Sequence, residues 1–321
     1  MASTNAHSPV LNNTAQIAVL IPCLNEELTI GKVISDFQKN LPGAKIYVFD
    51  NNCTDRTPEI AQKAGAIVVK EKRPGKGSVV ASMFKKVKAD YYVMVDGDDT
   101  YDAGSVSKLL NPLMTGEADL TVATRLSEHT DESFRPLHVF GNNLVKSLVN
   151  WIFHSNLADI MSGYRGFTRE FVETIPVLSS GFEVETELTI RTLDYGFVIE
   201  EIPVPYRERP EGSFSKLHTF RDGYRVLSQI GTIAKAYKPF TFFGLIGLFF
   251  GLIGLGTGIE VIFDFLADRY VNKVPTAILS SACMILSFGC IGIGIILNVL
   301  SYRFRELEKI IQNSANLKRK N

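Results

Sequence analysis

The sequence predicts an α/β domain with a mostly parallel sheet, followed by interfacial helices and a two-helix transmembrane hairpin. Short apolar runs rich in β-branched and aromatic residues alternate with helical patterns near the amino end, which is typical of a parallel sheet. Two long uncharged runs near the carboxyl end predict the hairpin. The 34 basic and 34 acidic side chains balance, which argues against a nucleic-acid-binding protein.

Four predicted strands and three predicted helices make up the sheet region. The strands are Ile17–Ile21, Lys45–Phe49, Ala66–Val69 and Tyr91–Val95, and the helices lie near 30–37, 58–64 and 79–87. Each strand is followed by a polar cluster, in order Pro22–Glu27, Asp50–Thr57, Arg73–Gly77 and Asp96–Asp99. Because such sheets bind ligands at the carboxyl ends of their strands, the clusters predict one site. The Gly-x-Gly-x-x-Gly turn of dinucleotide-binding proteins and the P-loop lysine motif are both absent from the sequence.

Asp96 and Asp98 stand one residue apart at the end of the fourth strand. Carboxylate oxygens at this spacing can bind a Mg²⁺ or Mn²⁺ that also binds a diphosphate. Asp-Gly-Asp sequences are common in turns, so the tripeptide alone is a weak signal. Its place after an apolar strand, as the fourth cluster of the series, makes it the predicted metal site.

The two uncharged runs are Pro239–Ile259 and Val274–Tyr302, of 21 and 29 residues. At about 1.5 Å per residue, each can cross the roughly 30 Å hydrocarbon core of a membrane. We predict transmembrane helices at about 239–263 and 274–302. Small-residue spacing predicts close helix approach, either within the hairpin or between copies in a homo-oligomer. The glycines concerned are Gly247, Gly251, Gly254 and Gly258.

Net charge is unevenly distributed along the chain. Residues 1–212 carry −7, and 213–238 and 303–321 carry +4 each. By the positive-inside rule, both termini and the α/β domain lie in the cytoplasm, with the hairpin in the plasma membrane. The 213–238 pattern predicts either an amphipathic helix on the membrane surface or a packed helix of the domain. The predicted organisation is a flexible tail (1–15), the α/β domain (16–212), a juxtamembrane segment (213–238), the hairpin (239–302) and a basic tail (303–321).

Seven short motifs occur in order between Ile17 and Leu217. They are Pro22-x-x-Asn25-Glu26-Glu27, Asp50…Asp55-Arg56-Thr57, Gly75-Lys76-Gly77, Asp96-x-Asp98, Thr124-Arg125, Asp159-x-x-Ser162-Gly163-Tyr164-Arg165 and Ser215-Lys216-Leu217. Together they resemble the inverting family-two glycosyltransferases, specifically the polyprenyl-phosphate type that includes dolichyl-phosphate mannose synthase and bacterial undecaprenyl-phosphate sugar transferases. The resemblance implies an A-type glycosyltransferase fold and a hexosyltransferase that uses a UDP- or GDP-sugar and a polyprenyl phosphate.

The resemblance also implies residue roles. The donor would bind to Pro22, Asn25, Glu26, Asp50, Asn52, Lys76, Asp96 and Gly97, with Mg²⁺ or Mn²⁺ on Asp96 and Asp98. The acceptor phosphate would bind to Arg125, Arg135, Arg209, Ser215 and Lys216, and Asp159 and Arg165 would shape the sugar site. The resemblance implies that the catalytic residues are Asp98, Arg125 and Asp159. One departure is Thr100, which stands where mannose synthases often carry a metal-binding Gln, so water would replace that protein contact.

A phosphate acceptor reduces the chemistry that the protein must supply. Its second pKa is about 6, so near pH 7 it is largely a dianion and needs no base. We therefore expect no essential general base, with Asp159 as the first alternative and Glu185 as the second. Glu183, Glu185 and Glu187 are expected at a helix start, where negative charge suits the helix dipole.

Three alternative functions make different demands. A glycosyltransferase acting on a hydroxyl lipid such as diacylglycerol would need a base, and this alternative stays open. A processive polysaccharide synthase would carry Gln-x-x-Arg-Trp, which is absent because the only tryptophan is Trp151 in another context. A non-catalytic scaffold is opposed by the intact Asp96 and Asp98 pair.

Overall fold

A computed structural model describes residues 15–127, 136–207, 228 and 231–320. The predicted tail lies outside the described residues except for residue 15. Most of the predicted juxtamembrane segment also lies outside them, and residues 231–237 are helical. The chain divides into two compact units, with the boundary between Gly223 and Tyr224.

The described part of the first unit contains a seven-stranded sheet. In chain order the strands are β1 (Ile17–Cys23), β2 (Lys45–Asp50), β3 (Ile67–Lys70), β4 (Tyr91–Met94), β5 (Leu120–Ser127), β6 (Arg165–Thr168) and β7 (Ile199–Tyr206). Their order across the sheet is β3-β2-β1-β4-β6-β5-β7. Strand β6 runs antiparallel to both neighbours, and the other pairs are parallel. The prediction of a mostly parallel sheet is confirmed.

Helices cover both faces of this sheet. They are α1 (Ile30–Asn40), α2 (Thr57–Lys63), α3 (Lys76–Lys86), α4 (Val106–Thr115), α5 (Pro136–Phe153), α6 (Arg169–Thr174) and α7 (Val184–Tyr195). Side chains from α1, α2 and α4 form one apolar core, and side chains from α3, α6 and α7 form the other. The apolar positions that predict α1 are all buried, which is why this segment is a helix against the sheet: Ile30, Val33, Ile34 and Phe37.

The reversed strand brings additional residues to the edge where β1 to β4 end. Because β6 is antiparallel, its amino end lies at this edge, beside the carboxyl ends of β5 and β7. The segment 159–164 precedes β6, and Arg125 lies near the end of β5. We call this the polar edge. It comprises the turns that follow β1 to β4, together with Arg125 and residues 159–164.

The second unit contains two long helices, α8 (Pro239–Asp268) and α9 (Val274–Lys320). Within them, 239–267 and 274–304 are long and apolar enough to cross a membrane. Both helices extend past the predicted ends at 263 and 302. Near the end of α8, Glu260 and Asp264 form ion pairs with Lys273, and the predicted basic tail is helical as far as Lys320.

Glycines let the two long helices approach closely. A Cβ on Gly247 would lie 3.0 Å from the Ser287 carbonyl oxygen, and one on Gly254 would lie 3.1 Å from the Ser280 carbonyl oxygen. The Ser280 hydroxyl donates a 2.7 Å hydrogen bond to the Gly254 carbonyl. Of the two predicted uses of these glycines, the structure shows packing within the hairpin.

Candidate active site

The turns after β1 and β2 are joined by hydrogen bonds. The Glu26 amide donates to the Thr57 hydroxyl at 2.8 Å, and the Thr54 amide donates to the Asn25 side-chain oxygen at 2.8 Å. Asn25 and Asn52 have φ angles of 56° and 65°, a region that Asn adopts more readily than most residues. The predicted donor residues Asn25 and Glu26 are therefore fixed against the second turn.

Pro22 and Asp50 lie at the ends of the neighbouring strands β1 and β2. Pro22 is half-buried, and Asp50 is buried with its carboxylate accepting a 2.7 Å hydrogen bond from the Cys53 amide. Burial raises the pKa of the Cys53 thiol to about 11, so this thiol is protonated and unreactive near pH 7. Asp50 is thus oriented by its own turn.

Asn51 is a scaffold residue that the sequence analysis did not single out. Its buried amide donates to the Arg73 carbonyl at 2.7 Å and accepts from the Gly75 amide at 2.8 Å. It thereby fixes the turn that leads into α3. The predicted donor residue Asn52 is exposed next to it. A side-chain amide can donate and accept hydrogen bonds at the same time, which a residue joining two loops needs, and this is the property of Asn51 that could have indicated its role.

Asp98 is buried in the turn after β4. Its carboxylate accepts a 2.6 Å hydrogen bond from the Thr100 hydroxyl. The same turn is fixed by the Thr29 hydroxyl, which donates to the Gly97 carbonyl at 2.6 Å. A Cβ on Gly97 would lie 2.8 Å from the Cys23 sulfur, so the turn requires glycine there. Thr100 therefore serves as a hydrogen-bond partner of Asp98.

Lys76 joins two carboxylates at the polar edge. Its ammonium nitrogen lies 2.5 Å from an Asp96 oxygen and 2.5 Å from a Glu185 oxygen. Burial alone would lower the pKa of Lys76, but the two carboxylates outweigh it and raise the pKa, so the side chain stays charged. We call Lys76, Asp96 and Glu185 the Lys76 cluster. The sequence predicts Lys76 as a donor-binding residue and Glu185 as the second alternative base, but it does not indicate their pairing.

Two glycines make room around the Lys76 cluster. A Cβ on Gly163 would lie 2.2 Å from an Asp96 carboxylate oxygen. Gly75 has a φ of 103°, and a Cβ there would lie 2.1 Å from the Ser180 carbonyl oxygen. The 159–164 segment and the start of α3 can therefore reach these positions only with glycine.

Arg125 forms a two-pronged ion pair with Asp159. Its Nε donates to Oδ2 at 2.7 Å and its Nη2 donates to Oδ1 at 3.0 Å. The guanidinium carbon lies 5.7 Å from the centre of the Tyr206 ring, within cation–π range. The Ala158 and Asp159 amides each donate to the Glu201 carboxylate at 2.8 Å. Asp159 is therefore engaged on both its side chain and its backbone.

The predicted acceptor-phosphate group is described only in part. Arg125 lies at the polar edge, as expected. The other four members, Arg135, Arg209, Ser215 and Lys216, lie outside the described residues. Arg125 is thus the predicted phosphate ligand whose surroundings the structure defines.

Arg165, predicted to shape the sugar site, lies inside the domain. It is fully buried and donates to the Ser162 and Ile160 carbonyls at 2.8 Å and to the Thr189 hydroxyl at 3.0 Å. Burial lowers the pKa of this guanidinium. Arg165 braces the 159–164 segment from inside the domain. Its motif position alone does not distinguish a ligand from such a brace.

Asp96 and Asp98 fit a Mg²⁺ or Mn²⁺ as part of a larger set of ligands. Their oxygens are the hard ligands that these ions prefer, and Asp96 already contacts one cation, the Lys76 ammonium. Among the described residues, no group of three or more His, Cys, Asp or Glu side chains could bind a metal ion. A metal here would take its remaining ligands from a diphosphate and water, which is usual for Mg²⁺.

Comparison with known proteins identifies the family. Residues 18–175 match the model of glycosyl transferase family 2. The chain is 31% identical over 297 residues to glycosyltransferase AglJ of Haloferax volcanii, covering 92% of this chain and 97% of AglJ. It is 31% identical over 207 residues to a dolichyl-phosphate hexose transferase of the same organism, covering 64% of this chain and 89% of that protein.

A solved structure shows the same fold. Glucosyl-3-phosphoglycerate synthase from Mycobacterium tuberculosis, in complex with Mn²⁺, UDP and glucosyl-3-phosphoglycerate, superposes with a TM-score of 0.58 at 26% identity. The superposition covers 69% of this chain and 80% of the synthase. The predicted A-type glycosyltransferase fold is confirmed. The chain belongs to the family 2 glycosyltransferases, and it is a hexosyltransferase by class.

Proposed function

We propose that this glycosyltransferase moves a sugar, with inversion, from a nucleotide sugar to a polyprenyl phosphate at the cytoplasmic face of the membrane. The polyprenol would be undecaprenol or dolichol, and the product a polyprenyl-monophosphate sugar for envelope glycan or protein glycosylation. The observation that carries the proposal is the two-pronged ion pair between Arg125 and Asp159. Arg125 is the proposed phosphate-binding group, and its ion pair with Asp159 occupies the carboxylate that is the first alternative base.

The donor side of the proposal rests on Asp96 and Asp98. A bound Mg²⁺ or Mn²⁺ would neutralise charge on the leaving nucleoside diphosphate. The buried Asp98 is oriented by Thr100, and the turn containing it is fixed by Thr29, so these carboxylates are set in place before the donor binds. The Mn²⁺ and UDP bound to the mycobacterial synthase support a UDP-sugar and a divalent metal.

The acceptor side requires positioning rather than a base. Both carboxylates that the sequence offers as bases are in ion pairs, Asp159 with Arg125 and Glu185 with Lys76. A hydroxyl acceptor must lose a proton as it attacks, whereas a phosphate dianion attacks with an oxygen that is already ionised. Arginine suits such an acceptor because a guanidinium has five N–H donors, so Arg125 can donate two to Asp159 and still present its Nη1 edge to phosphate oxygens. These pairs therefore favour a phosphate acceptor over diacylglycerol.

The membrane side of the proposal rests on α8 and α9. Their apolar lengths match a bilayer, and the +4 segments at 213–238 and 303–321 support a cytoplasmic location for the hairpin ends under the positive-inside rule. A basic segment before the hairpin would attract an anionic lipid. The relative named as a dolichyl-phosphate hexose transferase supports an acceptor of this class.

The direct test is to identify the lipid product. Membranes containing the protein would be incubated with radiolabelled UDP- and GDP-sugars and polyprenyl phosphate, with and without EDTA. We expect a labelled lipid that mild acid hydrolyses, and its loss with EDTA. Membranes with Asp98→Asn serve as the control. A label on diacylglycerol, which mild acid leaves intact, would support the hydroxyl acceptor, and no labelled lipid with any donor would contradict the proposal.

The pH profile provides a second test of the acceptor. Turnover should fall below about pH 6, where the acceptor becomes a monoanion. Replacing the phosphate acceptor by a thiophosphate monoester, whose second pKa is lower, should move this fall to lower pH. An enzyme carboxylate acting as base would leave the profile unchanged between the two acceptors.

A further inference from the structure

We propose that Glu185 is a positioning residue that controls metal binding at Asp96, because it determines how strongly Lys76 binds that carboxylate. This inference rests on the metal role proposed for Asp96. In the structure one ammonium group contacts both carboxylates at 2.5 Å. A divalent ion that binds Asp96 must compete with this ammonium for the same carboxylate.

Burial makes the second carboxylate necessary. The Lys76 and Glu185 side chains are 11% and 6% exposed, whereas the Asp96 side chain is 26% exposed. A buried charge without a partner is strongly destabilising. If Asp96 were its only partner, Lys76 could release it only by becoming unpaired. Glu185 removes this obstacle, since Lys76 can stay paired with Glu185 while Asp96 binds the metal.

Only the side chain of Lys76 can move when this residue changes its partner from Asp96 to Glu185, because the backbone on both sides is fixed. Lys76 is the first residue of α3, and the Gly77 amide that follows donates to the Gly181 carbonyl at 3.0 Å. Gly75 on the other side lies directly against Ser180. Glu185 lies in the first turn of α7, just after this same loop. Both ends of the Lys76–Glu185 pair are therefore fixed to one another through the backbone, and Asp96 is the more exposed third member.

The competition predicts opposite effects of two substitutions on Mn²⁺ affinity. Lys76→Met removes the competing ammonium, so Mn²⁺ should bind about tenfold more tightly, a size typical of coupling between contacting residues. Glu185→Gln leaves Lys76 with Asp96 as its charged partner, so Mn²⁺ should bind about tenfold more weakly. The measurement is the Kd of Mn²⁺ for the full-length protein in detergent, from the electron paramagnetic resonance signal of free Mn²⁺, with and without UDP.

The double variant separates an effect through Lys76 from a direct charge effect. If Glu185 acts through Lys76, Glu185→Gln should change Mn²⁺ affinity less than about twofold once Lys76 is Met. A direct effect of the Glu185 charge would persist in that background. The double variant removes both buried charges, so it can replace Lys76→Met if that variant alone fails to fold. Compared with Glu185→Gln, the double variant should then bind Mn²⁺ about a hundredfold more tightly, whereas a direct effect of the Glu185 charge would give only about tenfold.

Lys32→Met is the matched control for loss of a positive charge. Lys32 contacts Asp99 at 2.7 Å in the turn that contains Asp98, but it is not a partner of Asp96 in the structure. We expect it to change Mn²⁺ affinity less than about threefold, as for a largely exposed pair.

Two results would overturn the inference while leaving the metal role intact. One is an equal effect of Glu185→Gln with and without Lys76, and the other is equal tightening by Lys32→Met and Lys76→Met. If the wild-type protein binds no Mn²⁺ in the presence or absence of UDP, the metal part of the proposed function fails, and this inference fails with it.

Discussion

The two halves of the polar edge differ in how their charges are paired. In the half formed by the turns after β1 to β4, a single lysine lies between the carboxylates of Asp96 and Glu185, close to the buried Asp98. In the half formed by β5 to β7, Arg125 pairs with Asp159, and the Glu201 carboxylate accepts from backbone amides instead. The first half has an excess of negative charge, which suits a divalent cation. The second offers a guanidinium, which suits an anionic acceptor.

The largest effect is expected from Asp98→Asn in the donor half. The change removes one metal-binding charge and leaves the Thr100 hydrogen bond, so kcat/KM should fall by about 10²- to 10³-fold. Asp99→Asn is the matched control, because Asp99 has a φ of 58° that Asn also adopts and its carboxylate contacts Lys32 instead. Initial rates of sugar transfer measure both. Equal losses in the two variants would contradict the assignment of the metal site to Asp98.

The second-largest effects are expected from substitutions of Asp159 and Arg125, in the acceptor half. Asp159→Asn keeps one oxygen for Arg125 but loses the second prong of the pair, so Arg125 is held less firmly and we expect a raised acceptor KM. The loss in kcat should be less than about tenfold, whereas loss of a general base costs about 10²- to 10⁴-fold. Arg125→Lys should cost more, because a lysine cannot bind two oxygens as a fork does. If Asp159→Asn abolishes turnover while the donor KM is unchanged, Asp159 is a base and the hydroxyl acceptor is favoured.

A smaller effect should follow from Gly163→Ala. The new Cβ would lie 2.2 Å from an Asp96 oxygen, so the carboxylate must move, and the donor KM should rise about tenfold, equal to about 1.4 kcal/mol. The acceptor KM should change little. Gly104→Ala is the control, since its Cβ would lie 3.0 Å from an oxygen of Asp102, a side chain that can turn towards solvent. A change in acceptor KM alone would contradict an effect of Gly163 through Asp96.

The smallest effect concerns stability in acid. The Arg73 hydrogen bond is the main reason that the pKa of Glu71 falls to about 2, below its usual value of 4.5. Since the folded state has the lower pKa, the stabilisation is present above about pH 4.5 and is lost as the pH falls towards 2. Glu71→Gln should therefore lower the Tm by a few degrees at pH 7, and the difference should shrink by pH 3. Thermal unfolding in detergent measures this, with the exposed Glu59→Gln as a control that should match wild type. A constant difference between pH 7 and pH 3 would contradict this role of the Glu71 charge.

The sequence predicted the donor half better than the acceptor half for a physical reason. In parallel strands the alternation of apolar runs and polar turns indicates both the strands and the edge where they end. Asp50, Asp96 and Asp98 follow this rule and lie where the pattern places them. Arg125 reaches the same edge at the end of the parallel strand β5, but the 159–164 segment reaches it because β6 is reversed, and no periodicity in the sequence indicates the direction of a strand.

The sequence also does not indicate which charged side chains form ion pairs with one another. Lys76 and Glu185 are 109 positions apart in the chain, and their contact depends on how α3 packs against α7. Arg165 likewise belongs to a motif but faces the interior, because the Ser162 and Ile160 carbonyls need donors there. Composition and spacing indicate which chemistry is present, whereas tertiary packing decides which groups are already engaged.

The Lys76 cluster also has a consequence for folding. Asp96 receives a positive charge from its own chain, so the polar edge can fold without an external ion, unlike small domains whose folding energy comes from a metal. EDTA should then stop sugar transfer without lowering the Tm. A newly synthesised chain could therefore complete this domain whatever the local supply of Mg²⁺ or Mn²⁺.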